Sequence, residues 1–204
     1  MSQILIFGDS IVYGAWDSKG GWADRIKQEV HKKFLEDPDF PWLAHNLGVD
    51  GDTSKGLLKR FEQETKPRIV YGGDTIFIIS IGVNDSLFDN NKKEYGVSSE
   101  EYKKNLQELF KLAKNYNAQI LFVGSAGLDE SRVDPVPWKP ECSYKNEYVK
   151  QYDQIAKEVC KENHVVFVDI FGLDKKHLID GLHPNSEGHK KIFEAVWPVL
   201  EKLL

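Results

Sequence analysis

The chain has 204 residues, a formal net charge of −5, and a composition that is 41% hydrophobic and 29% charged. This size and balance predict one globular domain over residues 1–204, with a sizeable core. Because the charge is acidic and the lysines are scattered, the chain has no electrostatic footprint for nucleic acid, and we expect no nucleic-acid partner.

The compartment expected from the sequence is the cytoplasm. No apolar run approaches the roughly 20 residues needed to span a bilayer, so no membrane span is expected. The first predicted strand begins within a few residues of Met1, which leaves no space for a signal peptide. Cys142 and Cys160 make no disulfide framework in a chain of this length, and we expect both thiols to be free.

The first predicted element is a buried strand that runs into a polar turn. Residues 4–7 are Ile, Leu, Ile and Phe, and such an apolar run is typical of a strand covered on both faces in a parallel sheet. Gly8, Asp9 and Ser10 follow it. Ligands of open α/β folds bind outside the carboxyl ends of the strands, so this turn puts a small nucleophile, Ser10, in a suitable place.

Apolar runs and amphipathic stretches then alternate along the chain. The other predicted strands are residues 42–47, 75–81, 119–124 and 165–170. The predicted helices are residues 21–36, 57–65, 98–113, 148–159 and 192–203. Ser98 and Glu101 form a capping box at the start of the third of these, and Pro198 predicts that the last helix is kinked or divided.

One connection is unusually long for a compact domain. Residues 125–143 contain three prolines and no usable periodicity. Connections of this length are usually either functional or disordered. We expect this one to form a wall of a substrate site, with a shape fixed by its prolines.

Five strands that alternate with five helices predict a parallel sheet, because parallel neighbours need crossover connections. Right-handed crossovers place helices on both faces, so the expected fold is a three-layer α/β/α sandwich with the flavodoxin-like strand order 2-1-3-4-5. All strand carboxyl ends then lie along one edge of the sheet. That edge should bring together the loops at residues 8–10, 48–53, 82–85, 124–143 and 172–184.

These loops contain the groups that a serine needs for acyl transfer. Ser10 requires a base to take its proton, and the base requires an acid to orient it. His183 and Asp180 are three residues apart on a tight turn and can fill both roles. Donors for the developing oxyanion are the backbone N–H groups of Ser10 and Gly51 and the side-chain amide of Asn84.

The sequence resembles the SGNH (GDSL-type) hydrolase family in four blocks, which stand in the family's order and cover nearly the whole chain. The blocks are residues 7–10 (Phe-Gly-Asp-Ser), 46–53, 82–85 (Gly-Val-Asn-Asp) and 180–184 (Asp-Gly-Leu-His-Pro). The resemblance implies a flavodoxin-like fold, hydrolysis of esters and thioesters, and no metal or other cofactor.

Residue by residue, the resemblance implies Ser10 as nucleophile, His183 as base and Asp180 as orienting acid. It also implies Gly51 and Asn84 as oxyanion-hole donors. One departure from the family concerns the residues after the nucleophile. A GDSL-type block often carries a threonine soon after the serine, whereas here residues 11–13 are Ile, Val and Tyr, so the wall beside the nucleophile differs.

Other polar and aromatic residues receive a structural interpretation. Asp9 and Asp85 are expected to brace turns, because an acid beside the nucleophile would oppose developing negative charge. Trp22 and Trp197 lie on helical stripes and are expected in the core, whereas Tyr13 and Trp138 are candidates for the substrate pocket. The remaining histidines are expected on the surface or in packing: His31, His45, His164, His177 and His189.

Several alternatives stay open at this point. A lysophospholipase or an acyl-thioesterase would use the same fold and residues as an esterase of short acyl groups. From other classes, a flavodoxin-like phosphate- or nucleotide-binding module would use the turn after the first strand, and a metallophosphoesterase would use Asp9, Asp85 and His183. The expected partner is a small-molecule ester, and both a monomer and a homodimer are compatible with the sequence.

Overall fold

Strands and helices alternate along the chain in this computed structural model, which describes residues 1–204. The strands are β1 Ser2–Gly8, β2 Trp42–Gly48, β3 Thr75–Ser80, β4 Phe88–Asp89, β5 Glu94–Tyr95, β6 Gln119–Val123, β7 Cys142–Ser143 and β8 Val166–Val168. The α-helices are α1 Ser10–Tyr13, α2 Gly21–Glu36, α3 Ser54–Thr65, α4 Ser99–Lys114, α5 Glu130–Val133, α6 Asn146–Asn163 and α7 Ser186–Leu200.

The central sheet has five strands, all parallel, in the order β2-β1-β3-β6-β8. Numbered among the five predicted strands alone, this order is 2-1-3-4-5, so the expected topology is confirmed. β1 pairs with both β2 and β3, and all seven of its residues are buried. Its continuous apolar run is therefore explained by cover on both faces.

Helices cover both faces of this sheet, which confirms the three-layer α/β/α sandwich. Successive side chains of a strand point to opposite faces. Leu5 and Phe7 belong to a core that includes residues of α3, α4 and α6, whereas Ile4 and Ile6 belong to a second core that includes residues of α2 and α7. The sheet therefore lies between the two cores, and each of its faces contributes side chains to one of them.

A second, small sheet was not predicted from the sequence. It has the order β5-β4-β7, and both of its pairings are antiparallel. Its third strand, β7, closes the long connection of residues 125–143, which also contains α5. Val133 and Val136 anchor this connection in a third cluster of buried residues. Its conformation is therefore supported by packing as well as by its prolines.

Other local predictions have mixed outcomes. Ser98 caps α4 by accepting from the backbone N–H of Glu101, as expected. Trp22 is buried in the core, Trp197 packs against it, and both cysteines are free. The division of the last helix at Pro198 is wrong, since α7 continues through this residue and ends at Leu200. None of the helices combines the length and the hydrophobicity that a membrane crossing requires.

Candidate active site

Ser10 is the first residue of α1, and a single residue separates it from the end of β1. Asp9, the residue between them, is the N-cap of α1, and its carboxylate accepts from the backbone N–H of Ile11 at 2.9 Å. The side chain that precedes the serine is therefore used to begin the helix that carries it, in agreement with the structural role expected for Asp9.

Two glycines allow α1 to lie directly on the ends of the strands. Gly8 and Gly48 are paired in register at the carboxyl ends of β1 and β2. A Cβ atom on Gly8 would lie 2.2 Å from the carbonyl oxygen of Ser80, and one on Gly48 would lie 2.1 Å from the backbone nitrogen of Tyr13. Any larger residue at either position would displace its neighbour.

Ser10, His183 and Asp180 form a continuous hydrogen-bonded chain. The Oγ atom of Ser10 lies 3.0 Å from Nε2 of His183, and Nδ1 of the same ring lies 2.7 Å from Oδ2 of Asp180. An ionised carboxylate only accepts hydrogen bonds, so the imidazole carries its proton on Nδ1 and Nε2 is an acceptor for the hydroxyl. This arrangement is the one a serine nucleophile needs.

Asp180 is held as an anion by its own turn. Its second oxygen accepts from the backbone N–H groups of Leu182 and His183 at 2.9 and 2.8 Å. Burial alone would raise the pKa of Asp180, but the hydrogen bonds from the side chain and backbone of His183 and from Leu182 outweigh it and lower the pKa. The carboxylate is therefore charged at neutral pH.

The turn that carries the base is supported by the long connection, which the sequence did not indicate. Gly181 has φ 96°, and its carbonyl accepts from the backbone N–H of Asp129 at 2.9 Å. Arg132, in α5, donates to the carbonyl of Leu178 at 3.0 Å and to the carbonyl of Ile179. A guanidinium that holds two successive carbonyls fixes the start of this turn.

The three oxyanion donors expected from the sequence lie on neighbouring loops. Asn84 reaches across from its own loop and donates from Nδ2 to the backbone carbonyl of Asp52 at 2.9 Å, beside Gly51. Gly51 has φ 69° and open space where a Cβ would stand, so its backbone is accessible. The N–H of Ser10 lies in the first turn of α1, where a helix makes no internal hydrogen bond to it.

Asp85 braces the loop that carries Asn84. Both of its oxygens accept from the backbone N–H of Ser54 at 3.0 Å, and the hydroxyl of Ser54 donates to one of them. Burial raises the pKa of Asp85 to about 6 and that of Asp9 to about 7. No group of three or more His, Cys, Asp or Glu side chains is arranged to hold a metal ion.

Two exposed tryptophans flank the histidine. The ring centroid of Trp138 lies 6.5 Å from that of His183, and the centroid of Trp16 lies 6.1 Å away with its ring at 88°. Trp16 was not identified from the sequence, although it follows the nucleophile by only six positions. Its φ of 65° is strained for an aromatic residue, and strain of this kind is concentrated at functional sites.

A cavity of about 750 Å³ adjoins this site. Tyr13, a residue expected in the substrate pocket, lines it together with Trp16 and Asp50, which neighbours Gly51. Only three of the nine lining residues are hydrophobic, but most of the surface that lines the cavity is apolar. The complete lining is Tyr13, Gly14, Ala15, Trp16, Asp17, Ser18, Gly20, Asp24 and Asp50.

The remaining histidines lie on the surface or in packing, as expected. His31 and His164 are exposed, and His45 is half-buried. His177 is buried beside the N-cap of α7, since its carbonyl accepts from the backbone N–H of Asn185 at 2.7 Å. His189 is fully buried, and this burial lowers its pKa to about 4, so its ring is neutral at physiological pH.

Comparison with known families gives one match over most of the chain. Residues 6–191 match the model of the GDSL-like Lipase/Acylhydrolase family. Esterase TesA of Pseudomonas aeruginosa is 25% identical over an alignment of 210 residues, which covers 98% of this chain and 89% of that protein. The human isoamyl acetate-hydrolyzing esterase 1 homolog is 26% identical over 98% of this chain and 82% of its own length.

Solved structures support the fold. A lipase/acylhydrolase from Enterococcus faecalis superposes with a TM-score of 0.78 at 22% identity, over 100% of this chain and 97% of that one. An acetyl xylan esterase, AlAXEase, superposes with a TM-score of 0.74 at 17% identity, over 97% and 99% of the two chains. At these identities the likeness concerns the arrangement of strands and helices.

Proposed function

The chain belongs to the GDSL-like lipase/acylhydrolase family and is a carboxylic ester hydrolase, and we propose that Ser10, His183 and Asp180 are its catalytic triad. The observation that carries this proposal is the pair of hydrogen-bond distances on the imidazole, 3.0 Å to the hydroxyl of Ser10 and 2.7 Å to the carboxylate of Asp180. The proposed oxyanion donors are the backbone N–H groups of Ser10 and Gly51 and the side chain of Asn84.

The first half of the reaction acylates the serine. Nε2 of His183 takes the proton of Ser10, and Oγ attacks the ester carbonyl. The carbonyl oxygen becomes an oxyanion and accepts from the proposed donors, while Asp180 stabilises the imidazolium through Nδ1. The imidazolium then gives its proton to the leaving alcohol, and the acyl group remains on Oγ.

The second half releases the acid. Water takes the place of the alcohol, His183 removes its proton, and the resulting hydroxide attacks the acyl carbonyl. The same donors hold the second oxyanion. When it collapses, the proton returns from His183 to Oγ of Ser10, and the free enzyme is restored.

The proposed substrates are small esters with short acyl groups, such as acetyl esters. The name of the human relative, which refers to the hydrolysis of isoamyl acetate, supports this substrate class. The cavity of about 750 Å³ beside the site has the size of a small-molecule pocket. Lysophospholipids and long-chain acyl thioesters are the alternative substrates.

The rival binding-module and metallophosphoesterase hypotheses give no role to the hydrogen-bonded set of Ser10, His183 and Asp180. Asp9 and Asp85, which a two-metal site would need, accept from backbone N–H groups in this structure. We also propose a single domain and a cytoplasmic location. The first is supported by the two main cores that share one sheet, and the second by the free thiols of Cys142 and Cys160.

The test is hydrolysis of p-nitrophenyl acetate and p-nitrophenyl decanoate in excess EDTA by the wild-type protein and by Ser10→Ala. We expect the acetate to be cleaved faster than the decanoate, with no effect of EDTA. Ser10→Ala should lose nearly all activity, by about 10⁴-fold or more, because no nucleophile remains. Full activity in Ser10→Ala, or loss of wild-type activity in EDTA, would contradict the triad.

A further inference from the structure

Tyr144 makes a hydrogen bond to the proposed oxyanion residue Asn84. Its hydroxyl lies 2.8 Å from Oδ1 of Asn84, and the two residues are 60 positions apart in the sequence. The phenol is buried, with 4% of the residue exposed. Nothing in the triad chemistry requires a tyrosine at this position.

The partners of the Asn84 amide determine which way it points. The carbonyl of Asp52 can only accept, so it must face the amide nitrogen, and Oδ1 then faces the phenol. Burial raises the pKa of Tyr144 well above its ordinary value, with a smaller contribution from the nearby carboxyl of Asp9. The phenol therefore stays protonated and acts as the donor.

This arrangement leaves one N–H of Asn84 for another acceptor. The amide nitrogen carries two hydrogens, and the carbonyl of Asp52 takes one of them. With Oδ1 held by Tyr144, the amide plane is fixed at both ends before any substrate arrives. Donors that need no reorganisation during the reaction stabilise a developing oxyanion most effectively.

Tyr144 is itself held firmly by the long connection. Its backbone N–H donates to the carbonyl of Val133 at 3.0 Å, and its side chain packs in the third core cluster, which includes Val83, the neighbour of Asn84. β7, which ends at Ser143, pairs with β4, a few residues beyond Asn84. The phenol and the amide are thus parts of one packed unit.

We propose that Tyr144 is a positioning residue, which orients the amide of Asn84 towards the substrate oxyanion without touching the substrate. The inference rests on the proposed function, because it assigns a purpose to Tyr144 only if Asn84 is an oxyanion donor. It also gives the connection of residues 125–143 a role in the reaction.

The experiment is a double-mutant cycle measured with p-nitrophenyl acetate. The variants are Tyr144→Phe, Asn84→Ala and the combination of both. Asn84→Ala should lower kcat by about 10²- to 10³-fold, because one oxyanion donor is lost. Tyr144→Phe should lower kcat by about 5- to 50-fold with KM within about twofold of wild type, because the amide becomes free to rotate.

The combined variant carries the sharpest expectation. Because Tyr144 acts through Asn84, Tyr144→Phe should have no further effect on kcat once Asn84 is alanine. Tyr144→Met also lacks the hydroxyl donor and keeps a large apolar side chain, so it should lower kcat by a similar factor. It serves as a second variant in case phenylalanine packs poorly at this position. The matched control is Tyr152→Phe: this tyrosine is equally buried and donates to the carbonyl of Val97, so its kcat should stay within about twofold of wild type.

Two results would overturn the inference. One is a wild-type kcat in both Tyr144→Phe and Tyr144→Met. The other is an equal loss on Tyr144→Phe in the wild-type and Asn84→Ala backgrounds, which would mean that Tyr144 acts independently of the amide. If Ser10→Ala is inactive and either result is found, only the role of Tyr144 is lost; activity in Ser10→Ala would reject the triad itself.

Discussion

Asp180 uses its two carboxylate oxygens for different purposes. Oδ1 closes the turn by accepting from the backbone of Leu182 and His183, and Oδ2 holds Nδ1 of the imidazole. A single side chain therefore fixes the turn, the position of the base and the location of its proton. This division explains how an aspartate only three residues before the histidine can orient its ring, while Arg132 of the long connection holds the start of the turn.

Asp180→Asn tests this division at the scale of one residue. The amide oxygen can still accept from the two backbone N–H groups, so the turn should remain folded. Its NH₂ group would face Nδ1, which favours the tautomer with the proton on Nε2, and such a ring cannot accept from Ser10. We expect kcat to fall by about 10³- to 10⁴-fold, with KM changed far less.

The control for this prediction is Asp174→Asn. Asp174 also caps a turn in the same connection, by accepting from the backbone N–H of Lys176 at 3.1 Å, but it holds no imidazole. Its replacement should leave kcat at the wild-type value. An Asp180→Asn variant with a melting temperature and a kcat close to wild type would show that the carboxylate charge is not needed.

At the scale of elements, the position of the serine depends on how closely α1 approaches β1 and β2. Four residues make this helix, and it is too short to be stable without the packing of the strands beneath it. It is placed instead by the two strand ends beneath it, where paired glycines leave room for its backbone. The position of Ser10 therefore depends on the absence of side chains at Gly8 and Gly48.

Gly48→Ala is the corresponding prediction. The added Cβ would stand 2.1 Å from the backbone nitrogen of Tyr13, so α1 must shift relative to His183. We expect a loss of about 1–3 kcal/mol in the free energy of unfolding, from overpacking, and a fall of about 10- to 100-fold in kcat. Urea unfolding and p-nitrophenyl acetate kinetics measure the two effects.

Leu43→Ala serves as the control on the same strand, because Leu43 is exposed and lies at the far end of β2 from the site. Its kcat should match that of the wild type. Should Gly48→Ala also keep a wild-type kcat, the close approach of α1 to β2 would not determine the position of the nucleophile.

The elements that were predicted differ physically from those that were missed. The five strands of the main sheet were predicted from apolar segments of several residues, and their order from the crossover connections, so the residues themselves carry the information. β4, β5 and β7 have two residues each, and no run of that length has a detectable period. Their pairing depends on which segments the rest of the fold brings together.

The same distinction applies to the site. The sequence predicts five site residues because each stands in a short block after a predicted strand: Ser10, His183, Asp180, Gly51 and Asn84. Three further residues contact the site from positions that are distant in sequence or in another loop, and no local sequence pattern predicts them: Trp16, Arg132 and Tyr144. Only the folded arrangement shows that a phenol lies 2.8 Å from an amide 60 positions away.

At the scale of the whole molecule, buried carboxyl groups couple stability to pH. Burial is the largest cause of the raised pKa of Asp153, about 6, as it is for Asp9 and Asp85. Ionisation of each of these groups is harder in the folded state than in the unfolded chain. Each group therefore makes its full contribution to the free energy of unfolding at pH values below its unfolded pKa, where it is protonated. This contribution is lost as the pH rises through the folded pKa.

Asp153→Asn isolates one of these groups at a distance from the proposed triad. The amide in this variant cannot ionise, so between pH 5 and 8 the wild-type protein should lose about 1 kcal/mol of unfolding free energy relative to the variant. Urea unfolding of both proteins across this range gives the difference. Asp174→Asn is the control, because the hydrogen bonds from Lys176 hold the pKa of Asp174 below its ordinary value and Asp174 lies outside α6, the helix that carries Asp153.

The prediction would be contradicted if the difference in unfolding free energy between Asp153→Asn and wild type stayed constant from pH 5 to 8. Such a result would mean that Asp153 ionises as readily in the folded protein as in the unfolded chain. The two proteins also differ in unfolding free energy by an amount that is independent of pH, which includes the hydrogen bonds that Asp153 accepts from the backbone of Ser125. This constant amount does not affect the change measured between pH 5 and 8.

The hydroxyl of Ser10 and the imidazole of His183 meet across 173 positions of sequence. During translation Ser10 therefore leaves the ribosome long before His183 is made, and β1 must wait for β2 and β3 before both of its edges are paired. A nascent or truncated chain that ends before residue 183 has no base for its serine, so it cannot hydrolyse an ester prematurely. Esterase activity accordingly reports the completion of the chain, and in a refolding experiment it should return only with the last elements to assemble.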